Sequence, residues 1–284
     1  MLDESIMKVI YTDAILSVSL QAGPENGQYP VSNVKNQYPK KPFKAVGSSA
    51  TIRVAESGNS DALALFATNA DSITVTAAVG TSVVLGRDES GELIEAGTDE
   101  AGNTIMLSDR GEQPVEVLYE YVKQNQNNGV IWMELERSGF QRTLDFACSV
   151  NSGNLEVGVL VAGQVMRFRE MERQSYHEAP VDYSMDMELQ SGNPYYVDLG
   201  RARMIPFQVY MWAADGVDPA GYTSWRDFYY GFVYAFGREP KAWLLSELLD
   251  VSHYAIWARI ETMPKTIMAG NNHVLASTTL REIN

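Results

Sequence analysis

The sequence predicts an all-β protein with a single helix. Three observations carry that prediction. β-Branched and aromatic residues gather in short runs, and Gly, Asn, Asp and Pro break those runs at short intervals. Only one stretch repeats its apolar residues at helical spacing. A chain of 284 residues can bury a substantial core as one large or two modest domains.

The first strands are expected at 8–11 and 15–20. Residues 21–47 then form a long connection holding Pro24, Pro30, Pro39 and Pro42 and ending in a Lys-rich stretch, Lys35 to Lys44. Proline fixes φ and removes a ladder donor, so this segment should lie over the surface as an ordered loop. Strands resume at 50–54, 62–67 and 72–78. In Ser72-Ile73-Thr74-Val75-Thr76 polar and apolar residues alternate strictly, the mark of a strand with one wet face.

Residues 83–108 read as a separate piece, an inserted β-meander of short strands at 83–87, 92–95 and 104–107. Its turns, Asp88-Glu89-Ser90-Gly91 and Asp99-Glu100-Ala101-Gly102, each end in a glycine suited to positive φ. Further strands follow at 115–121, 130–136, 143–148 and 155–161. The charged, Met-rich run 165–178 reads as the crossover into a second module. There, strands are expected at 181–189, 195–202 and 206–213, and after the helix at 241–245, 255–260 and 273–280. The helix, near 224–236, has Thr223 or Ser224 as cap, with Asp227 at capping-box spacing from Ser224. Trp225, Phe228, Tyr229, Phe232 and Phe236 recur at helical intervals, and Gly237 then Pro240 stop the helix. The domain boundaries are therefore 1–165 and 166–284.

The formal net charge is −14, from 36 acidic and 22 basic residues. That balance argues against nucleic acid as a partner, because phosphate binding needs clustered Lys and Arg. A lone Cys148 leaves neither an intrachain disulfide nor a cysteine-based zinc site. Apolar runs are too short to span a bilayer, and Met1-Leu2-Asp3-Glu4-Ser5 lacks the basic head of a signal peptide. A soluble protein made in the cytoplasm is expected, with no membrane insertion.

The sequence lacks the familiar catalytic patterns. His177, His253 and His273 are too far apart in sequence to aim two imidazoles at one metal by local spacing. The nucleophile elbow, the phosphate loop and the dinucleotide fingerprint are all missing from the sequence. Cys148 lies in an alternating apolar stretch and reads as a buried packing thiol. The acidic meander supplies Asp88, Glu89, Glu92, Glu95, Asp99 and Glu100, but their spacing fits no calcium loop. The expectation is therefore no cofactor and no metal.

Aromatics are the more informative surplus. The chain has five Trp and fifteen Tyr, concentrated after residue 176. Most should fill a sheet packed on the helix, and the remainder should face a subunit interface. Tyr230 and Tyr234 lie one turn apart off the main apolar face, where exposed rings would mark a docking surface.

Several short motifs resemble a known build. Tyr29-Pro30-Val31-Ser32-Asn33-Val34, Pro39-Lys40-Lys41-Pro42-Phe43-Lys44-Ala45, Ala50-Thr51-Ile52-Arg53-Val54 and the run 62–70 resemble the opening of a discoidin-like, galactose-binding-type jelly roll. The version in structural proteins of tailed bacteriophages is the closer likeness. Such proteins continue with strands like Val117-Leu118-Tyr119-Glu120-Tyr121 and 155–163. A second module follows, with elements like Val181-Asp182-Tyr183-Ser184 and 237–244. The resemblance implies an N-terminal jelly-roll β-sandwich followed by a β-rich assembly module, in a protein of the virion tail, neck or tail tip.

The expected function is thus that of a non-enzymatic virion component acting through protein–protein assembly. Its partners would be other virion proteins and copies of itself. The interface candidates are Lys40 and Lys41 against Asp88, Glu89, Asp99 and Glu100, an acidic turn meeting a basic loop, together with Tyr230 and Tyr234. The alternative is a carbohydrate-binding module for a host glycan, with a groove lined by Asn33, Asn36, Tyr38 and Phe43 beside the turn at 125–128. A glycan-degrading enzyme is the third reading and requires two carboxylates about 5–9.5 Å apart in a groove.

Overall fold

The computed structural model describes residues 7–78, 83–87, 93–98, 104–107, 115–122, 129–137, 139, 141–169, 177–188, 194–197, 201–213, 221–246, 254–270 and 272–283. Among the described residues strands dominate and pair antiparallel, and there is one short helix besides a 3₁₀ turn at Val31–Lys35. The fold class is all-β with a single helix, as the sequence predicts.

Three sheets stack in layers. The outer sheet of the N-terminal half has five strands: β10 (Val115–Val122), β6 (Ser72–Ala78), β12 (Arg142–Ser149), β4 (Ser49–Glu56) and β2 (Ile15–Ala22), in that order. A three-stranded middle sheet runs β11 (Ile131–Glu134), β5 (Ala62–Phe66) and β14 (Val159–Gly163). The third sheet has seven strands: β15 (Val165–Phe168), β1 (Met7–Ile10), β20 (Lys241–Leu244), β21 (Ala255–Met268), β22 (His273–Glu282), β19 (Arg201–Trp212) and β16 (Ala179–Asp182).

β4 shows why a strand belongs at a core edge. Along Ser49–Glu56, Ala50, Ile52 and Val54 are buried and their neighbours are not, the period of a pleated strand with one face inward. β5 behaves differently, because all five of its residues are buried. Leu63 and Leu65 join the sandwich core with Ile52, Phe146 and Ile131. Ala62, Ala64 and Phe66 point the other way, into a second apolar layer with Ile10, Leu244 and Trp257 of the large sheet. A strand covered on both faces reads as a continuous apolar run. Small alanines on the second face let the two sheets approach closely.

The large sheet buries its opposite face against the helix. Val9, Phe168, Phe207, Trp243 and Ile256 pack there with Phe228 and Phe232. Each such side chain contributes about 1.5–3 kcal/mol on burial.

The boundary at residue 165 needs correction. β1 pairs with β15 and β20, so the N-terminal strand belongs to the sheet of the second module. Sequence pattern sets which face of a strand is buried but not which distant partner it takes. Three strands also differ in extent. β19 is continuous through Pro206, which lies past the last described residue paired with β16, a position that a residue without an N–H can occupy. β21 runs on to Met268 rather than ending at Ile260, and β15 occupies part of the expected crossover. Strands β7 (Val83–Arg87), β8 (Leu93–Thr98) and β9 (Thr104–Leu107) form the separate three-stranded meander, and two short pairs stand apart, β3 (Phe43–Lys44) with β13 (Glu156–Val157) and β17 (Met185–Glu188) with β18 (Pro194–Val197).

Candidate functional site

The helix, α1, covers residues 225–236, with a π-helical stretch at Asp227–Val233 and an α-helical turn at Tyr234–Phe236. Ser224 starts it: its Oγ accepts the Asp227 N–H at 3.1 Å, the cap that the spacing predicts. Thr223 has another role, exchanging bonds with the Arg167 backbone of β15. Gly237, at φ 57°, ends the helix in a conformation that suits glycine.

Aromatic packing fixes the inner face. The Phe228 ring meets Phe168 edge-on at 5.2 Å, and Phe232 meets Trp243 edge-on at 5.5 Å. With that face anchored, the opposite face must be in solvent. Tyr230 is 60% exposed and Tyr234 81%. Tyr229, placed by its spacing with the apolar residues, is exposed too, and its ring abuts that of Tyr230 at 5.2 Å. Rings left this exposed keep much of their hydrophobic driving force for a partner, Tyr234 most and Tyr229, which also packs on Trp225 at 5.3 Å, least. π-Helical turns are rare and recur at functional sites.

Beside these rings lies an open groove of about 600 Å³ lined by Tyr11, Met166, Arg226, Asp227, Tyr230 and Gly231. The Arg226 guanidinium sits 5.9 Å from the Tyr230 ring centre, in cation–π range. Tyr11 donates its hydroxyl to Gln164 Oε1 at 2.8 Å. Burial pushes the Tyr11 phenol upward, and nearby Asp61 and Asp227 add to this against the opposing pull of Arg137, so it stays protonated at neutral pH. Neutral phenols, one guanidinium and one carboxylate make a surface suited to burying rings and forming hydrogen bonds.

The proposed glycan groove is not assembled as expected. Phe43 is fully buried in the sandwich core, so no sugar can stack on it. Asn33 commits its side-chain N–H to the Pro42 carbonyl at 3.2 Å, and the Asn36 side-chain oxygen accepts the Tyr38 N–H at 3.1 Å. These asparagines shape the turn. Tyr38 alone of the four presents its ring, at 61% exposure. The turn at 125–128 lies outside the described residues.

Lys40 and Lys41 are exposed in the same loop. The loop itself is pinned at Gln37, whose side-chain N–H donates to Glu239 Oε1 at 2.6 Å. It therefore reaches the segment that leaves the helix. Their expected counterparts Asp88, Glu89, Asp99 and Glu100 lie outside the described residues, as does His253. Cys148 is buried, and desolvation pushes its thiol up to about 12, which keeps it protonated and unreactive. Among the described residues no three His, Cys, Asp or Glu side chains come together as metal ligands would.

Sequence reasoning missed Arg226 and Tyr229 as members of the exposed face. The signal was the run Trp225 to Tyr230, which holds too many rings for one helical stripe. No protein-family model matches the chain, and comparison with curated proteins finds no similar sequence.

Proposed function

We propose that the chain is a non-enzymatic structural component of a tailed-bacteriophage virion, in its tail, neck or tail tip. It acts by assembling with copies of itself and with other virion proteins. One observation carries the assembly reading: three tyrosines project from a helix whose other face is locked into the core by Phe228 and Phe232. Rigid, exposed aromatic anchors lose little entropy on docking and are the side chains on which interface energy concentrates. The virion reading rests on the short motifs at 29–34, 39–45, 50–54 and 62–70. The layered all-β build supports it as a stiff platform for symmetric contacts.

The experiment is immunogold electron microscopy with antibodies to the purified chain, applied to particles from a phage lysate that contains it. The reading expects labels at one fixed position on the particle. A chain that never co-sediments with particles and leaves them unlabelled contradicts it.

A further inference from the structure

A second site lies on the large sheet, well away from the helix, and a β-bulge creates it. Thr262 and Lys265 are three residues apart, which in a regular strand puts them on opposite faces. In β21 the register slips: Thr262 pairs with Thr279 and Lys265 with Ser277, so Met263 and Pro264 together oppose Thr278. The extra residue turns Lys265 onto the face of Thr262. β22 holds the distortion in place. The Thr278 hydroxyl donates to the Thr262 carbonyl at 2.7 Å, and the Ser277 hydroxyl to the Lys265 carbonyl at 3.4 Å. Pro264 has no N–H to leave unpaired, which suits a bulge.

The product is a shallow groove of about 430 Å³ on the face shared by β19, β22 and β21. Gln208, Ser277 and Lys265 form one cross-strand row on its floor, Thr279 and Thr262 lie in the row beside it, and His177 stands at its rim. One further row along, Tyr210 shares this face and is 40% exposed. Among the described residues lining the groove there is no Asp or Glu, and Lys265 makes no ion pair with any described residue.

The chemistry of this lining selects a ligand class. An ammonium with no acidic partner among the described residues favours an anion. Hydroxyl and amide groups, spaced about 5 Å across strands and about 7 Å along them, favour a ligand with many hydroxyls in a flat array. The half-exposed ring of Tyr210 offers a stacking face at one end. We propose that this groove binds an acidic saccharide. Its carboxylate sits on Lys265, its hydroxyls on Gln208, Ser277 and Thr279, and the adjoining sugar lies against Tyr210. An acidic peptide would also satisfy Lys265, but an extended backbone docks on a strand edge, and the groove is a sheet face. The proposal does not depend on the assembly reading, since none of its residues lies on the helix.

The test is an NMR-monitored titration of the full chain with a tri-uronate, beside neutral maltotriose and a tri-glutamate peptide. The tri-uronate should saturate one site and weaken as salt is raised. Lys265→Ala should weaken it about tenfold or more, a loss of about 1.4 kcal/mol, whereas Lys265→Arg keeps most of the affinity. Tyr210→Ala should cost about threefold. Lys265 is exposed, so its variants keep the fold, and Gln208→Ala gives an independent second reading at the groove floor. The proposal is overturned if the tri-uronate does not saturate. It is equally overturned if Lys265→Ala binds as well as wild type, or if maltotriose or the peptide binds as tightly.

Discussion

The Trp257 indole N–H donates to the carbonyl of Gln37 at 3.0 Å, across 220 residues of sequence. The same indole packs at 6.0 Å from the Phe66 ring of the middle sheet. One side chain thus ties the Pro-rich loop, the sandwich and the large sheet together. The two halves of the chain should therefore unfold as one unit. Trp257→Phe, which keeps a ring but loses the N–H, should cost about 1 kcal/mol. Trp257→Ala should cost about 3–5 kcal/mol. Urea unfolding followed by circular dichroism and by tryptophan fluorescence checks this, with coincident transitions in the wild type.

Acid should loosen the same junction through Asp61. Burial by itself would raise the Asp61 pKa, but the Arg137 guanidinium and the Val165 N–H outweigh it and hold the carboxyl below its usual value. A carboxylate depressed in the fold adds stability that is complete above its unfolded pKa and is lost as pH falls through the folded one. Stability from this group should therefore decline from about pH 4 downward. Asp61→Asn should remove that part of the acid dependence and cost about 1 kcal/mol at neutral pH, since Arg137 is half exposed. Thermal melts from pH 7 to pH 3 on both proteins give the comparison.

Glu56 ends β4 on the inward side of the alternation and is fully buried. It accepts the Arg142 Nε–H, the Gly58 N–H at 2.8 Å and the Ser60 hydroxyl at 2.7 Å. Removing this carboxylate leaves a largely buried guanidinium without its counter-charge, donating only to the Glu136 carbonyl at 2.8 Å among the described residues. Glu56→Ala should cost about 3–5 kcal/mol, more than Glu56→Gln, which keeps acceptor capacity. Chemical denaturation of the two variants ranks them.

Close approach decides Gly163. A Cβ there would stand 2.1 Å from the Thr12 carbonyl oxygen, where the connection between β1 and β2 crosses β14. Backbone is on both sides, so no flexible side chain can yield. Gly163→Ala should destabilise by about 3 kcal/mol or more, whereas Gly153→Ala, with open space around it, pays mainly for its φ of 83° and costs less. Differential scanning fluorimetry separates the two.

Much of this was legible in the sequence. Alternation in β4 and β12, the cap at Ser224, the stop at Gly237 and the exposure of Tyr230 and Tyr234 all follow from local spacing. Long-range pairing was not legible, because nothing local in Met7–Ile10 says which sheet it joins, and only the folded register sets it between β15 and β20. Phe43 was misplaced for a related reason: a ring in a Lys-rich loop reads as exposed until the loop folds it back onto Val157. The groove at Lys265 was hidden by the bulge, since a slip of one residue inverts every face beyond it.

The central claim, assembly through the tyrosine face, is tested most directly by sedimentation velocity over a range of concentrations. Wild type should sediment as a defined oligomer, and Tyr230→Ala/Tyr234→Ala as a folded monomer with an unchanged circular dichroism spectrum. A wild type that remains monomeric at every concentration contradicts the claim, as does a double variant that forms the same oligomer.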